Sequence, residues 1–357
     1  MACSLCEQLP RELPAELQLF LAPPMAEIEA GVRAAAAAAG VSVSEHHPGI
    51  LRVTASRALM EEFCTAQLTQ LTEVEQNGTR ALVVPAGTEP SIRDLVQMEP
   101  LAAVIAKVQA DEILELLRER RLTTYFQPII DLQDSGKLYA YECLSRGLNR
   151  DGVTIPPGHM FSLARKTDLL FYLDRETRVT SIRNAAKHGV SERIFINFNP
   201  TAIYRPETCL RTTLEAINAV GIPREQVVFE IVESDEIADT DHLARILEYY
   251  REQGFRVALD DLGAGYNSLT SLNSLRPDYM KLDIDLIRDV DRDPYKARIS
   301  ANLLSLADQL GIATIVEGIE RVGEYDWARE HGAHYAQGYL FARPAELPPR
   351  PEIPSSA

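Results

Sequence analysis

The sequence predicts an α/β chain: a (β/α)8 TIM-like barrel with one antiparallel strand, preceded by a small α/β domain. Three observations lead there. First, eight apolar runs of strand length recur from Thr123 onward, at 124–130, 138–144, 194–198, 227–232, 256–261, 279–284, 313–318 and 335–341. Helical patterns fill most gaps, at 172–188, 207–219, 240–253 and 293–310. Eight strands within roughly 230 residues, mostly separated by helices, fit such a barrel. Second, only Leu132 to Lys137 separates the first two strands. That is too short for a helical crossover, so they should form a hairpin and one strand should run antiparallel. Third, three of the runs stop at acids: Glu230 with Glu233, Asp260-Asp261, and Glu317 with Glu320. Parallel strands buried on both faces can place an unpaired carboxylate only at their ends.

The N-terminal elements follow in order. Leu17–Leu21 reads as a strand ended by Pro23-Pro24. Met25–Ala39 reads as an Ala-rich helix with Ile28, Val32, Ala35, Ala36 and Ala39 on one face, stopped by Gly40. Residues 41–43 and 50–53 can pair as a hairpin around His46-His47-Pro48-Gly49. Ser56 can cap one helix running to about Glu75, Asn77-Gly78 ends it, and residues 79–84 form a strand. That βαββαβ order predicts a ferredoxin-like sandwich. The expected organisation is a small regulatory or sensory α/β domain over 1–90, a helical connector over 91–121, the barrel over 122–346, and a Pro-rich tail without structure over 347–357.

Composition narrows the function. The chain has 36 Lys and Arg against 52 Asp and Glu, a formal charge of −16, which excludes affinity for a nucleic-acid polymer or an anionic membrane from the whole surface. No apolar run approaches the roughly 18 residues needed to span a bilayer. No basic and apolar leader opens the chain, and five scattered cysteines (3, 6, 64, 143 and 209) suit a reducing, cytoplasmic setting. Cys3 and Cys6 could be half of a metal site, which would need two further ligands.

In a barrel, strand ends converge on one face. Those ends carry Glu142, Asn197, Glu230, Asp260, Asp261, Lys281, Asp283, Glu317 and Gln337. The set offers oxygens and one lysine, with no His or Cys cluster to compete, so Mg²⁺ or Mn²⁺ is expected rather than Zn²⁺. So many carboxylates exceed the need of one ion, and two ions suit in-line attack at phosphorus. The plain alternative is that each acid closes a salt bridge, but few basic residues lie near the same ends. Cys143 reads as a packing residue, and the histidines at 159, 188, 242, 331 and 334 as surface or capping residues.

Eight motifs then fall in register. They are Tyr-Phe-Gln127-Pro-Ile, Glu142-Cys-Leu144-Ser-Arg146, Asn197-Phe-Asn-Pro, Glu230-Ile-Val-Glu233-Ser, Asp260-Asp261-Leu-Gly-Ala-Gly-Tyr-Asn-Ser-Leu, Lys281-Leu-Asp283, Glu317-Gly-Ile-Glu320 and Gln337-Gly-Tyr-Leu-Phe. In order and spacing the stretch of about 120–345 resembles an EAL-domain cyclic di-GMP phosphodiesterase. The resemblance implies that Glu142, Asn197, Glu230 and Asp260 ligate one metal, and that Asp260, Asp261 and Glu317 ligate a second. It makes Lys281 the catalytic lysine at the attacking water, acting with Glu142, Asp260 and Glu317. Gln127, Leu144, Arg146, Asn197 and Gln337 would contact substrate, Arg146 gripping a phosphate and Leu144 packing on a guanine. Glu233 would steady the loop that begins at Leu262. The implied activity is hydrolysis of cyclic di-GMP to linear pGpG with two Mg²⁺ or Mn²⁺ ions, Ca²⁺ being inhibitory, in a homodimer tuned by the N-terminal part. A catalytically weak cyclic di-GMP receptor is the alternative. The chain departs from the family pattern at Cys143, Asn199, Leu262, Ala264 and Asn267, none of them an implied ligand.

Overall fold

The computed structural model describes residues 14–134, 137–167, 169–203, 205–232, 240–262 and 268–353. The chain divides into two compact units. One comprises Leu122–Pro157 and the described residues from Asp174 onward; the other comprises the described residues up to Arg121 together with Gly158–Leu173.

The N-terminal unit is built on strands β1 (Glu16–Ala22), β2 (Val43–His47), β3 (Ile50–Ser56), β4 (Arg80–Pro85) and the short β5 (Glu99–Pro100). They form one sheet in the order β2-β3-β1-β4-β5, with every pair antiparallel. With helices between β1 and β2 and between β3 and β4, the first four strands have the ferredoxin-like topology. Helix Ala26–Ala38 buries Ile28, Val32 and Ala36, and Gly40 follows it at φ +69°. Leu17, Leu19, Leu51 and Val53 form the core beneath it.

Two expectations need correction in this unit. The single helix expected over 56–75 is broken into helix Arg57–Glu62, a π turn over Phe63–Gln67 and a 3-10 turn over Leu68–Gln70. Thr65 and Thr69 donate their hydroxyls to the carbonyls of Glu61 and Thr65, which competes with the helical ladder. Thr72 then caps a new helix, Glu73–Gly78, in a capping box with Glu75. The stretch 91–121 also does more than connect. Its helix Leu101–Gln109 places Leu101, Val104, Ile105 and Val108 in the same core as β1 and β3.

The other unit is the barrel. Its strands are β6 (Leu122–Asp131), β7 (Leu138–Leu148), β8 (Thr154–Ile155), β9 (Arg193–Asn197), β10 (Val227–Val232), β11 (Arg256–Leu262), β12 (Tyr279–Leu282), β13 (Ala313–Val316) and β14 (Tyr335–Gln337). The sheet order is β6-β14-β13-β12-β11-β10-β9-β7-β8, and β6 also pairs with β7, which closes a ring of eight strands with β8 outside it. β6 runs antiparallel to both of its neighbours, while the remaining ring pairs are parallel. The expected hairpin is therefore present, and it supplies the antiparallel strand. One interior layer takes Ile129, Ala140, Phe195, Val228, Ala258, Tyr279 and Ile315 from seven successive ring strands.

The last three strands are shorter than their apolar runs. Asp283 ends β12 by capping a short helix, accepting from Asp285 N at 2.7 Å. Gly318 turns the chain after β13 at φ +67°, where a Cβ would lie 2.2 Å from Ile284 Cγ1. Gly338 ends β14 against the Ile319 backbone, where a Cβ would lie 2.0 Å from the carbonyl oxygen. Beyond residue 346, where no structure was expected, the chain runs along the barrel. Tyr141 donates to Pro349 O at 3.0 Å, and Glu352 N donates to Phe341 O at 2.9 Å. Among the described residues no helix is long and apolar enough to cross a membrane.

Candidate metal and active site

Register brings the strand-end residues together. Glu142 on β7 lies beside Gln127 on β6, and Asn197 on β9 lies beside Glu230 on β10. Lys281 sits on β12, between β11 and β13. The β11–β12 register slips by one residue between Leu259 and Leu262, so Asp260-Asp261 form a bulge. A bulge re-aims side chains at the rim of a barrel, here at the acids that end the strand.

The result is one buried cluster around the Lys281 ammonium. Its Nζ lies 2.6 Å from Glu317, 2.9 Å from Glu230, 3.0 Å from Asp260 and 3.7 Å from Glu142. Lys281 is 1% exposed and Glu230 is 0% exposed. Asn197 Nδ2 approaches Glu142 at 3.4 Å and Glu230 at 3.3 Å. Gln337 Nε2 donates to Glu142 Oε2 at 2.5 Å and to Gln127 Oε1 at 3.0 Å. Gln127, Glu142, Glu317 and Gln337 line a cavity of about 400 Å³ whose other walls include Asp283, Arg288, Glu320 and Tyr339.

Four carboxylates facing one ammonium leave excess negative charge in a dry place. Burying charge without compensation is costly. Protonation relieves part of it. Burial, opposed by Lys281, raises the pKa of Glu230, and the same balance pushes Glu317 up to about 8. Burial alone would favour neutral Lys281, but Asp260, Glu142, Glu230 and Glu317 outweigh it and keep the ammonium charged. Gln337 Oε1 is a buried acceptor without a hydrogen-bond partner, while Glu230 Oε1 faces the Lys281 ammonium at 2.9 Å. The ligand atoms of Glu142, Glu230 and Asp260 all lie within 4.8 Å of one another, a group able to hold a metal ion. An all-oxygen cluster with surplus charge and an unsatisfied buried acceptor fits a hard divalent cation.

Other expected residues lie elsewhere or outside view. Leu144 and Arg146 follow Glu142 on the same face of β7, and the Arg146 guanidinium sits 5.3 Å over the Tyr125 ring. Neither lines the 400 Å³ cavity. Only the backbone of Asp261 is described, as part of β11, and Glu233, Cys3 and Cys6 lie outside the described residues. Cys143 is buried, and burial raises its thiol pKa well above the ordinary range, as suits a packing residue. His334 bonds to Thr314, His242 to Ile203 O, and His331 to Trp327 O. Sequence reasoning missed Arg288 and left Tyr339 without a role. Tyr339 lies within a motif, but the path that returns Arg288 to the cavity leaves no sequence signal.

The EAL domain profile matches residues 110–344. The chain is 30% identical over 261 residues to the probable cyclic di-GMP phosphodiesterase PdeB of Escherichia coli, covering 68% of this chain and 49% of that protein. It is 29% identical over 240 residues to the cyclic di-GMP phosphodiesterase RocR of Pseudomonas aeruginosa, covering 65% of this chain and 60% of that one. The chain thus spans about half the length of the curated relatives it matches. Among solved structures, a standalone EAL protein from Vibrio cholerae in its c-di-GMP-bound form shares 36% identity and a TM-score of 0.59, covering 65% of this chain and 95% of that one. With its profile match extending over most of its length, and its barrel matching that of a solved EAL protein, the chain belongs to the EAL-domain family.

Proposed function

We propose that this chain is a metal-dependent phosphodiesterase that hydrolyses cyclic di-GMP to linear pGpG. The observation that carries this reading is the convergence of Glu142, Glu230, Asp260 and Glu317 on Lys281, in a chain of this family. Glu142, Asn197, Glu230 and Asp260 would hold one Mg²⁺ or Mn²⁺ ion, and Asp260, Asp261 and Glu317 a second. When bound, such ions lower the pKa of water and offset charge on the phosphodiester oxygens. Lys281 Nζ orients the attacking water and moves its proton. Gln127 and Gln337 orient the groups around Glu142, Arg146 grips a phosphate, and Leu144 packs on a guanine. Glu233 steadies the loop after β11.

The same reading places the protein in the cytoplasm as a homodimer, joined near the helix that follows that loop, with the N-terminal unit tuning activity. Sedimentation and activity measured together across a dilution series test this; a monomer of full specific activity removes the dimer coupling. The central test is incubation with cyclic di-GMP and Mg²⁺ or Mn²⁺, followed by chromatography for pGpG. Turnover is expected with either ion, with little in Ca²⁺ and none in excess EDTA. Tight binding of the dinucleotide with no pGpG would favour the receptor reading instead.

A further inference from the structure

Behind the site, helix Leu170–Lys187 carries a buried ion pair that none of the roles above uses. Arg178 is 0% exposed and Asp174 is 1% exposed. Arg178 Nη1 donates to Asp174 Oδ2, and Arg178 Nε reaches Thr213 Oγ1 at 3.4 Å. Arg178 Nη2 is buried with no hydrogen-bond partner. A buried pair of this kind is a poor device for stability, because an apolar pair of similar volume often serves as well. An arginine nitrogen left unpartnered makes it poorer still.

What the pair does provide is a fixed anion. The second oxygen of Asp174, Oδ1, accepts the backbone N–H of Asn199 at 2.7 Å. Asn199 begins the turn that leaves β9, and its own side chain accepts from Thr201 N at 2.9 Å. One residue before it, Phe198 N donates to Glu230 O at 3.0 Å. Asn197, two residues before Asn199, points its amide at Glu142 and Glu230. The turn that aims Asn197 is therefore held on one side by β10 and on the other by Asp174.

We infer that Asp174 is a positioning residue for the metal site: its carboxylate, held in place by Arg178, captures the Asn199 N–H and so sets the direction of the Asn197 amide. This rests on the metal-site reading above. Outer groups that orient ligands typically account for about 10–100-fold in metal affinity.

The test separates hydrogen bond from charge in the full chain. Mn²⁺ affinity is read from the electron paramagnetic resonance of free Mn²⁺, beside thermal melting and a kcat-against-KM comparison. Asp174→Asn keeps an acceptor for Asn199 but leaves Arg178 unpaired. It should melt lower yet bind Mn²⁺ within about 3-fold of the parent. Asp174→Leu with Arg178→Met removes both charges and the acceptor. It should melt near the parent yet bind Mn²⁺ about 10-fold or more weakly, with kcat falling and the KM for cyclic di-GMP little changed. Asp174→Asn with Arg178→Met restores the acceptor and should recover most of the Mn²⁺ affinity. Parent-like Mn²⁺ affinity in the leucine–methionine variant would overturn the inference, as would its failure to fold, which would make the contact purely structural. A parent chain that binds no Mn²⁺, while Asn197→Ala changes nothing, would instead overturn the metal-site reading itself.

Discussion

The two ends of the same barrel strands are built from opposite chemistry. Where the strands begin, Tyr139, Tyr279 and Tyr335 pack together: the Tyr139 and Tyr279 hydroxyls meet at 2.6 Å, and the Tyr335 ring stacks on Tyr139 at 3.8 Å. Arg256 donates to the Tyr279 hydroxyl at 3.1 Å, and Arg193 lies 5.1 Å over the Tyr139 ring. Burial pushes Tyr139 up to about 12, so this hydroxyl stays neutral, and the arginines there keep contact with rings and hydroxyls. Where the strands end, buried carboxylates outnumber their one lysine. One end packs its polar groups among aromatic rings, and the other gathers several carboxylates around one ammonium. Unrelieved polar charge in a folded core marks the end where binding or chemistry takes place.

Substitutions at each end can break or sharpen that contrast. The largest effect belongs to the charged end. Under the proposed role of proton handling at the attacking water, Lys281→Ala should lower turnover by about 10²–10⁴-fold while keeping much of the dinucleotide affinity. Glu142→Ala should lose Mn²⁺ affinity and turnover together. Normal turnover in Lys281→Ala, assayed with saturating Mn²⁺, would remove the lysine from the chemistry.

The tyrosine end should respond in stability alone. Tyr279 is 1% exposed and packs against Phe195 at a ring separation of 5.2 Å. Tyr279→Ala should cost about 3–5 kcal/mol in denaturant unfolding, the range for deleting a buried aromatic side chain. Tyr279→Phe, which removes only the hydroxyl contacts, should cost about 1 kcal/mol. Both should leave Mn²⁺ affinity of the folded protein unchanged; a parallel loss of affinity would mean that the two ends are energetically linked.

A smaller effect tests a carboxylate near the charged end that the backbone already satisfies. Glu324 Oε1 accepts from Asp289 N at 2.9 Å, and Oε2 accepts from Glu320 N at 3.0 Å and Arg321 N at 3.1 Å. Burial acts to raise its pKa, but these three N–H groups and Arg321 outweigh it and hold it below the model-compound value of 4.5. A carboxylate depressed in the folded state stabilises above its unfolded pKa, and that contribution disappears as pH falls through the folded value. Glu324→Gln should therefore lower stability by about 1 kcal/mol near pH 7. The difference from the parent should vanish in unfolding measurements on the acid side of 4.5.

Much of this was legible in the sequence because the evidence was periodic. The run Val-Val-Phe-Glu230-Ile-Val is a strand buried on both faces, and β10 spans Val227–Val232 as expected. The short gap between the first two strands announced the hairpin. Helix 207–219 was legible only in part, since it is split into Pro206–Cys209 and Arg211–Val220. The broken helix after Ser56 was not legible, because apolar spacing does not report whether Thr65 and Thr69 turn their hydroxyls back onto the chain. Strand ends were overrun at Gly318 and Gly338, where the stop comes from close approach of Ile284 and Ile319.

The sequence by itself determined the class of fold, the strands that end in acids, and the oxygen-rich character of the candidate site. These follow from local rules: apolar period, connection length and the cost of burying an unpaired carboxylate. Tertiary structure alone decided which acids share one lysine, since Lys281 meets Glu142, Glu230, Asp260 and Glu317 only after ring closure sets the register. It also decided that Arg288 reaches the cavity and that Asp174 holds the turn beside Asn197. Contacts between residues far apart in the chain depend on the closed ring and the helices packed around it. No pattern within one segment encodes them.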